Sequence, residues 1–395
     1  MDPIKNPFAP GAGSQPPELA GRDELLEQAR IALLRLKQGR HAKSIILLGL
    51  RGVGKTVLLN RIRLIADREG FQTSAIESTE GKRLPLLLLP ELRRLLFALD
   101  TGRQVNAHVK KALGVLRSFI GSVKVKVDDV EFGLDIQPFK GEADSGDLEA
   151  DLASLFLAIG EAAKAKGSAV LILIDEIQYL GEEDLSALIV AIHKISQRQL
   201  PLVVMGAGLP QLAGLAGNSK SYAERLFDFT TIGPLEQADA EEAIREPVAK
   251  EGATISSDAL SGIVRATEGY PYFLQAWGYE AWNAADTSPI RDSDIDVATP
   301  RVLQKLDQSF FRVRFDRLTP AEKKYLRAMA ELGAGPHRSG DIADLLKRGV
   351  QQVAPLRNGL IKKGMIYSPA HGDTAFTVPL FDGFLKRVMP QMPDQ

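Results

Sequence analysis

Residues 49–56 read Gly-Leu-Arg-Gly-Val-Gly-Lys-Thr, directly after the apolar run SIILL and directly before VLLNRIRLIADREG. A short apolar run is the mark of a buried parallel strand, and the segment that follows has helical spacing. Glycines let the backbone turn its N–H groups onto phosphate oxygens without Cβ clashes, and the following helix points its positive end at the same place. The residues placed to bind phosphate are Gly49, Gly52, Val53, Gly54, Lys55, Thr56 and Val57, with Lys55 reaching the β and γ phosphates and Thr56 offering a hydroxyl to Mg²⁺. A chance glycine-rich turn is the alternative, but strand, loop and helix stand here in the required order.

A second buried strand, AVLILIDEIQ (169–178), ends in two carboxylates. One at the end of a strand beside the loop is suited to Mg²⁺, and the next can orient an attacking water. Those roles fall to Asp175 and Glu176. Taken alone the pair also fits the acidic start of a helix. The loop about 120 residues upstream favours the catalytic reading.

Outward from these two segments the pattern repeats. FQTSAIES (71–78) and LPLVVMGAG (200–208) read as further strands, and ELAGRDELLEQARIALLRLKQG (18–39) and the stretch around 86–99 as helices. Strands separated by helices give an α/β fold class with a parallel sheet covered on both faces. The segment 122–138 alternates apolar and polar residues and is expected to be an inserted β-hairpin, basic at Lys124 and Lys126 and acidic beyond, with a structural role. From about Gly233 the signals are helical, and the aromatics Tyr270, Tyr272, Phe273, Trp277 and Trp282 at helical spacing are expected to be core. The last eighty or so residues read as three helices and then two strands around His371-Gly372-Asp373, the order of a winged helix-turn-helix.

Composition narrows the classes. The chain has 395 residues, 45% hydrophobic and 25% charged, which suits two or three soluble domains. The longest apolar candidate, LPLLLLPEL (84–92), is short for a membrane span and broken by prolines, so no membrane association is expected. The Pro/Gly-rich start is not a secretory signal and reads as a flexible tail, 1–17. Without cysteine there is no disulfide or thiolate site, in keeping with a cytoplasmic location. No histidine lies four residues from another, so none suggests a metal site. The net charge of −1 requires any nucleic-acid contact to come from a local patch.

The ordered set AGRDELLEQ, GLRGVGKT, LILIDEIQYL, VVMGAGLPQL, AERLFDFTTIGPL and EGYPYFLQ, closed by the C-terminal helix-turn-helix, resembles the AAA+ ATPases over roughly 18–390. It is most similar to the origin-recognition and cell-division-control initiator branch and to related bacterial ATP-binding proteins. The resemblance implies an AAA+ core at 18–232, a helical lid at 233–308 and a winged-helix domain at 309–395. It implies ATP and Mg²⁺ as ligands, Gly21 and Arg22 packed near the adenine, and Arg225 as an arginine finger reaching a neighbouring subunit, hence a homo-oligomer. A surface arginine paired with Glu224 or Asp228 is the alternative for Arg225. This chain departs from the pattern at Gly206-Ala207-Gly208, where the family carries a polar γ-phosphate contact. The lid segment 268–272 also lacks the usual arginine, with Arg265 one turn earlier as a substitute.

Missing γ-phosphate contacts remove transition-state stabilisation, so slow hydrolysis is expected. Within 319–395 basic residues outnumber acidic ones, and GVQQVAPLRNGLIKKG is the candidate recognition helix. Arg357, Lys362 and Lys363 are its expected DNA contacts, and Pro355 is expected to kink it or mark a late start. The function expected is an ATP-dependent switch whose C-terminal domain engages DNA; the alternative is a regulatory ATPase, in defence or transcription, in which that domain docks protein or clamps the chain internally.

Overall fold

The computed structural model describes residues 1–11, 16–100, 106–122 and 137–391, so the expected hairpin at 122–138 lies almost wholly outside the described residues. The chain divides into two units.

One unit comprises Glu24–Leu48 and Lys55–Thr231. It runs α1 (Asp23–Lys37), β1 (Ser44–Leu48), α2 (Lys55–Arg68), β2 (Phe71–Glu77), α3 (Leu84–Leu99), α4 (Ala107–Ser122), α5 (Leu148–Ala165), β3 (Ala169–Asp175), α6 (Glu182–Gln197), β4 (Leu202–Gly208), α7 (Leu212–Ser219), α8 (Ala223–Leu226) and β5 (Phe227–Thr231). The strands form one parallel sheet in the order β2-β3-β4-β1-β5. All of β1 and β4 and the first six residues of β3 are buried, which is why they read as unbroken apolar runs rather than as alternating ones. Because β4 lies between β1 and β3, the C-terminal ends of these three strands share one edge of the sheet, the place where α/β folds bind ligands.

The other unit gathers the chain from three places, Met1–Asp23, Gly49–Gly54 and Ile232–Gln395. Its helices α9 (Gln237–Lys250), α10 (Ser257–Thr267), α11 (Pro271–Ala284) and α12 (Asp292–Lys305) are followed by a π-helical stretch, Leu306–Phe311, and α13 (Arg312–Phe315). Then come α14 (Pro320–Glu331), β6 (His337–Arg338), α15 (Ser339–Leu345), α16 (Val350–Lys362), β7 (Ile366–Tyr367), β8 (Asp373–Phe376) and α17 (Phe381–Val388), with an antiparallel sheet β6-β8-β7.

Thr319 and Glu322 close a capping box at the start of α14. Of the aromatic series, Phe273, Trp277 and Trp282 are buried core, while Tyr270 and Tyr272 are half-buried against it. Helix α16 runs through Pro355 without a late start; the proline gives no backbone bond to Gln351, four residues earlier, which is exposed.

The first residues, part of the stretch read as a tail, are packed. Residues Pro3–Lys5 form a 3₁₀ turn, Phe8 is buried, and the Trp282 indole N–H donates to the Asp2 carbonyl at 2.8 Å. Asn6 Nδ2 donates to the Tyr279 carbonyl at 3.0 Å. Proline and glycine content concealed the one aromatic side chain that anchors the segment.

Candidate nucleotide site

Lys55 and Thr56 open α2, and Asp175 closes β3. Lys55 is buried although it is a lysine, whereas Thr56 is exposed. The Thr56 hydroxyl donates to Asp175 Oδ2 at 2.6 Å, and the Glu176 backbone N–H donates to Asp175 Oδ1 at 2.8 Å. Burial pushes the Asp175 carboxyl above its ordinary range; the Glu176 charge adds to this, while the Thr56 hydrogen bond and the Lys55 charge oppose it.

Glu176 takes a left-handed backbone, φ 53°, which a β-unbranched residue adopts only where its surroundings hold it there. This bend ends the strand and starts a 3₁₀ turn, Ile177–Tyr179. Gln178 on that turn donates to Glu176 Oε2 through Nε2 and accepts from the Leu209 N–H at 3.0 Å through Oε1. Sequence reasoning passed over Gln178. The available signal was the pair of bare glycines on the neighbouring strand.

The loop residues Gly49–Gly54 belong to the other unit, and Gly54 is joined to Lys55 by the chain itself. Gly52 and Gly54 have φ of +86° and +91°, a backbone that side chains rarely adopt, so both glycines are required by the loop's path. Val53 is buried. Within that unit the loop is held by helix and hairpin alike: the Tyr272 N–H donates to the Gly52 carbonyl at 3.1 Å, and the Arg51 N–H donates to the Thr377 carbonyl at 3.1 Å. The Arg51 guanidinium also donates to the Gly364 carbonyl. Gly21 and Arg22 lie beside the start of α9: the Arg22 guanidinium donates to the Gly233 carbonyl at 2.6 Å, and burial lowers its pKa against the opposing charge of Asp239.

The remaining expected residues fare differently. Arg225, on α8, is exposed and makes no ion pair among the described residues; its expected partner Asp228 instead accepts from Gln28. Arg265 is exposed on α10. Arg357 is turned inward, donating to Thr374 Oγ1, Ser368 Oγ and the Asp373 carbonyl, each at 2.9 Å. Lys363 pairs with Glu322 at 2.7 Å and donates to the Arg317 carbonyl. Of the three expected DNA contacts, Lys362 alone is exposed.

Residues 18–205 match the family described as AAA ATPase domain. Residues 308–385 match a domain of unknown function, DUF8462, and a search of curated proteins finds no match. Among solved structures, a Walker-type ATPase of Pyrococcus abyssi is similar at 16% identity, covering 93% of this chain and 96% of its own, with a TM-score of 0.57. Cdc6p of Pyrobaculum aerophilum is similar at 16% identity, covering 99% of this chain and 98% of its own, with a TM-score of 0.50. These likenesses show the fold, a parallel sheet flanked by helices with a largely helical C-terminal region. No helix among the described residues is long and apolar enough to cross a membrane.

The oxygens of Thr56 and Asp175 suit Mg²⁺, which takes one or two carboxylates together with substrate phosphates rather than a cage of protein ligands. Among the described residues no group of three or more His, Asp or Glu forms such a cage.

Proposed function

We propose that this protein is a slowly hydrolysing ATP switch, and the observation that carries the reading is the 2.6 Å pairing of Thr56 with Asp175 beside a backbone-constrained Glu176. In this reading Gly49, Gly52, Val53, Gly54 and Val57 would bind the phosphates, Lys55 would neutralise the β and γ oxygens, and Gly21 and Arg22 would serve the base. Thr56 and Asp175 would hold Mg²⁺, which would neutralise charge developing on the phosphates. Glu176 orients a water and accepts its proton as the water oxygen bonds to the γ phosphorus; the bond to the bridging oxygen breaks, giving ADP and inorganic phosphate. With Gly206-Ala207-Gly208 on β4, no side chain from that strand stabilises the γ-phosphate, which supports slow turnover. Arg225, exposed, serves as the finger of a homo-oligomer.

The test is direct. Lys55→Ala abolishes nucleotide binding, and Glu176→Gln binds ATP without turning it over; parental hydrolysis by Glu176→Gln sinks the assignment. For Arg225, a mixture of Arg225→Ala and Lys55→Ala subunits recovers activity that neither has alone, because each supplies what the other lacks.

For the C-terminal region, 309–395, we favour a winged helix that engages DNA through the exposed side of α16, with Lys362, Asn358 and Gln351, beside exposed Lys347 and Arg348. Arg357 and Lys363 serve the fold instead. Binding to duplex DNA is expected to fall steeply with salt. A second reading, in which the region clamps the chain internally, is favoured by the Arg51 bonds to the Thr377 and Gly364 carbonyls. No DNA binding at low ionic strength, together with faster nucleotide exchange in Arg51→Ala, selects the clamp.

A further inference from the structure

The end of β4 is bare, and the structure shows what takes up the room. A Cβ at Gly206 would lie 2.3 Å from Ile177 Cδ1 and 2.7 Å from the Ile174 carbonyl oxygen. One at Gly208 would lie 2.8 Å from Gln178 Oε1 and 2.8 Å from Leu212 Cδ2. The two glycines therefore leave space for the 3₁₀ turn that follows Glu176, and the Gln178 carboxamide occupies the position where a polar side chain on β4 would otherwise project.

Both ends of that carboxamide are engaged. Its oxygen accepts from the Leu209 N–H at 3.0 Å, directly after β4, and its nitrogen donates to Glu176 Oε2. Anchoring the oxygen on the backbone settles which end of the amide faces Glu176, because only the NH₂ end can donate to a carboxylate. A base whose carboxylate is fixed at one oxygen by a backbone-anchored partner has the orientation that general-base chemistry requires, leaving Oε1 for a water.

We propose that Gln178 is the positioning residue of the hydrolytic site: it aims the Glu176 carboxylate from the end of β4, in place of the polar side chain that Gly206-Ala207-Gly208 cannot supply. It acts through Glu176 and does not touch phosphate, so it orients the base without restoring the missing γ-phosphate contact. This inference rests on the ATPase reading above.

The experiment compares ATP turnover and nucleotide affinity in the full chain for the parent, Gln178→Ala, Gln178→Met, Glu176→Gln and the double variant Glu176→Gln/Gln178→Ala. Gln178→Met keeps the side chain's length and removes its donor and acceptor. Both Gln178 variants are expected to lose about 10- to 100-fold in kcat with the ATP dissociation constant within about threefold of the parent, the range that a misaimed base produces. In the double variant the Gln178 substitution is expected to have no further effect, since its target is already disabled. Parental turnover by Gln178→Met beside an inactive Glu176→Gln overturns the inference and leaves the ATPase reading standing. A loss of ATP affinity in the double variant well beyond that of Glu176→Gln also overturns it, by showing a purely structural role. If Glu176→Gln itself hydrolyses ATP like the parent, the ATPase reading fails and this inference fails with it.

Discussion

Two regions of this molecule look alike in sequence, each a cluster of polar residues at the end of a regular element, and they behave in opposite ways. At the ends of β3 and β4 the polar groups Thr56, Asp175, Glu176 and Gln178 are held in a chain of bonds that leaves oxygens for a ligand. On α16 the cations Arg357 and Lys363 are consumed by their own domain, one stitching the hairpin through Thr374, Ser368 and Asp373, the other pairing with the Glu322 capping carboxylate. A cation on a recognition-like helix is evidence of binding only when the fold has not already claimed it. A backbone motif such as the glycine loop carries no such ambiguity, since its φ values are needed whatever the neighbours do.

That contrast can be broken most forcefully at β4. Gly206→Ala forces a methyl against the Ile174 carbonyl and the Ile177 side chain, and a loss of about 1–3 kcal/mol in stability is expected, read by thermal or denaturant unfolding. Unchanged stability would mean that the turn bearing Gln178 is not packed as described. Next, Arg357→Ala is expected to lower stability by about 1–2 kcal/mol, because the buried Thr374 hydroxyl loses a charged partner. Arg357→Lys should recover little of this, since an ammonium cannot span three acceptors held by a planar fork.

Lys363→Ala gives a smaller and pH-dependent effect. Burial tends to raise the Glu322 carboxyl, but the hydrogen bonds from Lys363 and Thr319 overcome it and hold the group below its ordinary range. A depressed acid contributes stability that is present above its unfolded pKa and lost as pH falls through the folded one. The gap between parent and Lys363→Ala is therefore expected at about 1 kcal/mol near neutrality, discounted for the partly exposed lysine, and to close in the acid range below the ordinary glutamate value. A gap that persists at low pH would trace the effect to packing. The smallest effect on the fold belongs to Lys362→Ala: unchanged stability, with the salt slope of DNA binding reduced by about one. If Arg357→Ala instead reduces that slope while stability holds, the two regions are more alike than the hydrogen bonds imply.

The loop, the paired carboxylates and the parallel sheet were legible because each is a local requirement: glycines at fixed φ, a hydroxyl after the lysine, unbroken apolar strands. Gln178 was not, because its meaning depends on a strand some thirty residues later being stripped to glycine. The fates of Arg357 and Lys363 were hidden for a related reason, since their partners come from the hairpin and from the cap of α14. Arg22 and Gly21 were proposed from resemblance alone, and the Arg22 bond to Gly233, more than two hundred residues away, has no local signal in the sequence.

Phe8 has a consequence for how the chain is assembled. The ring fits against Gly278, where a Cβ would lie 2.6 Å from it, so α11 has a slot filled by a residue far away in the sequence. Phe8 emerges well before the residues near 280 and must wait for them before its burial is complete, while the sheet of the other unit can close in between. Maturation of this protein cannot simply follow the order of translation. A fragment beginning at Ile232 would present the Gly278 notch as bare apolar surface, a place for misassembly and for chaperones to hold.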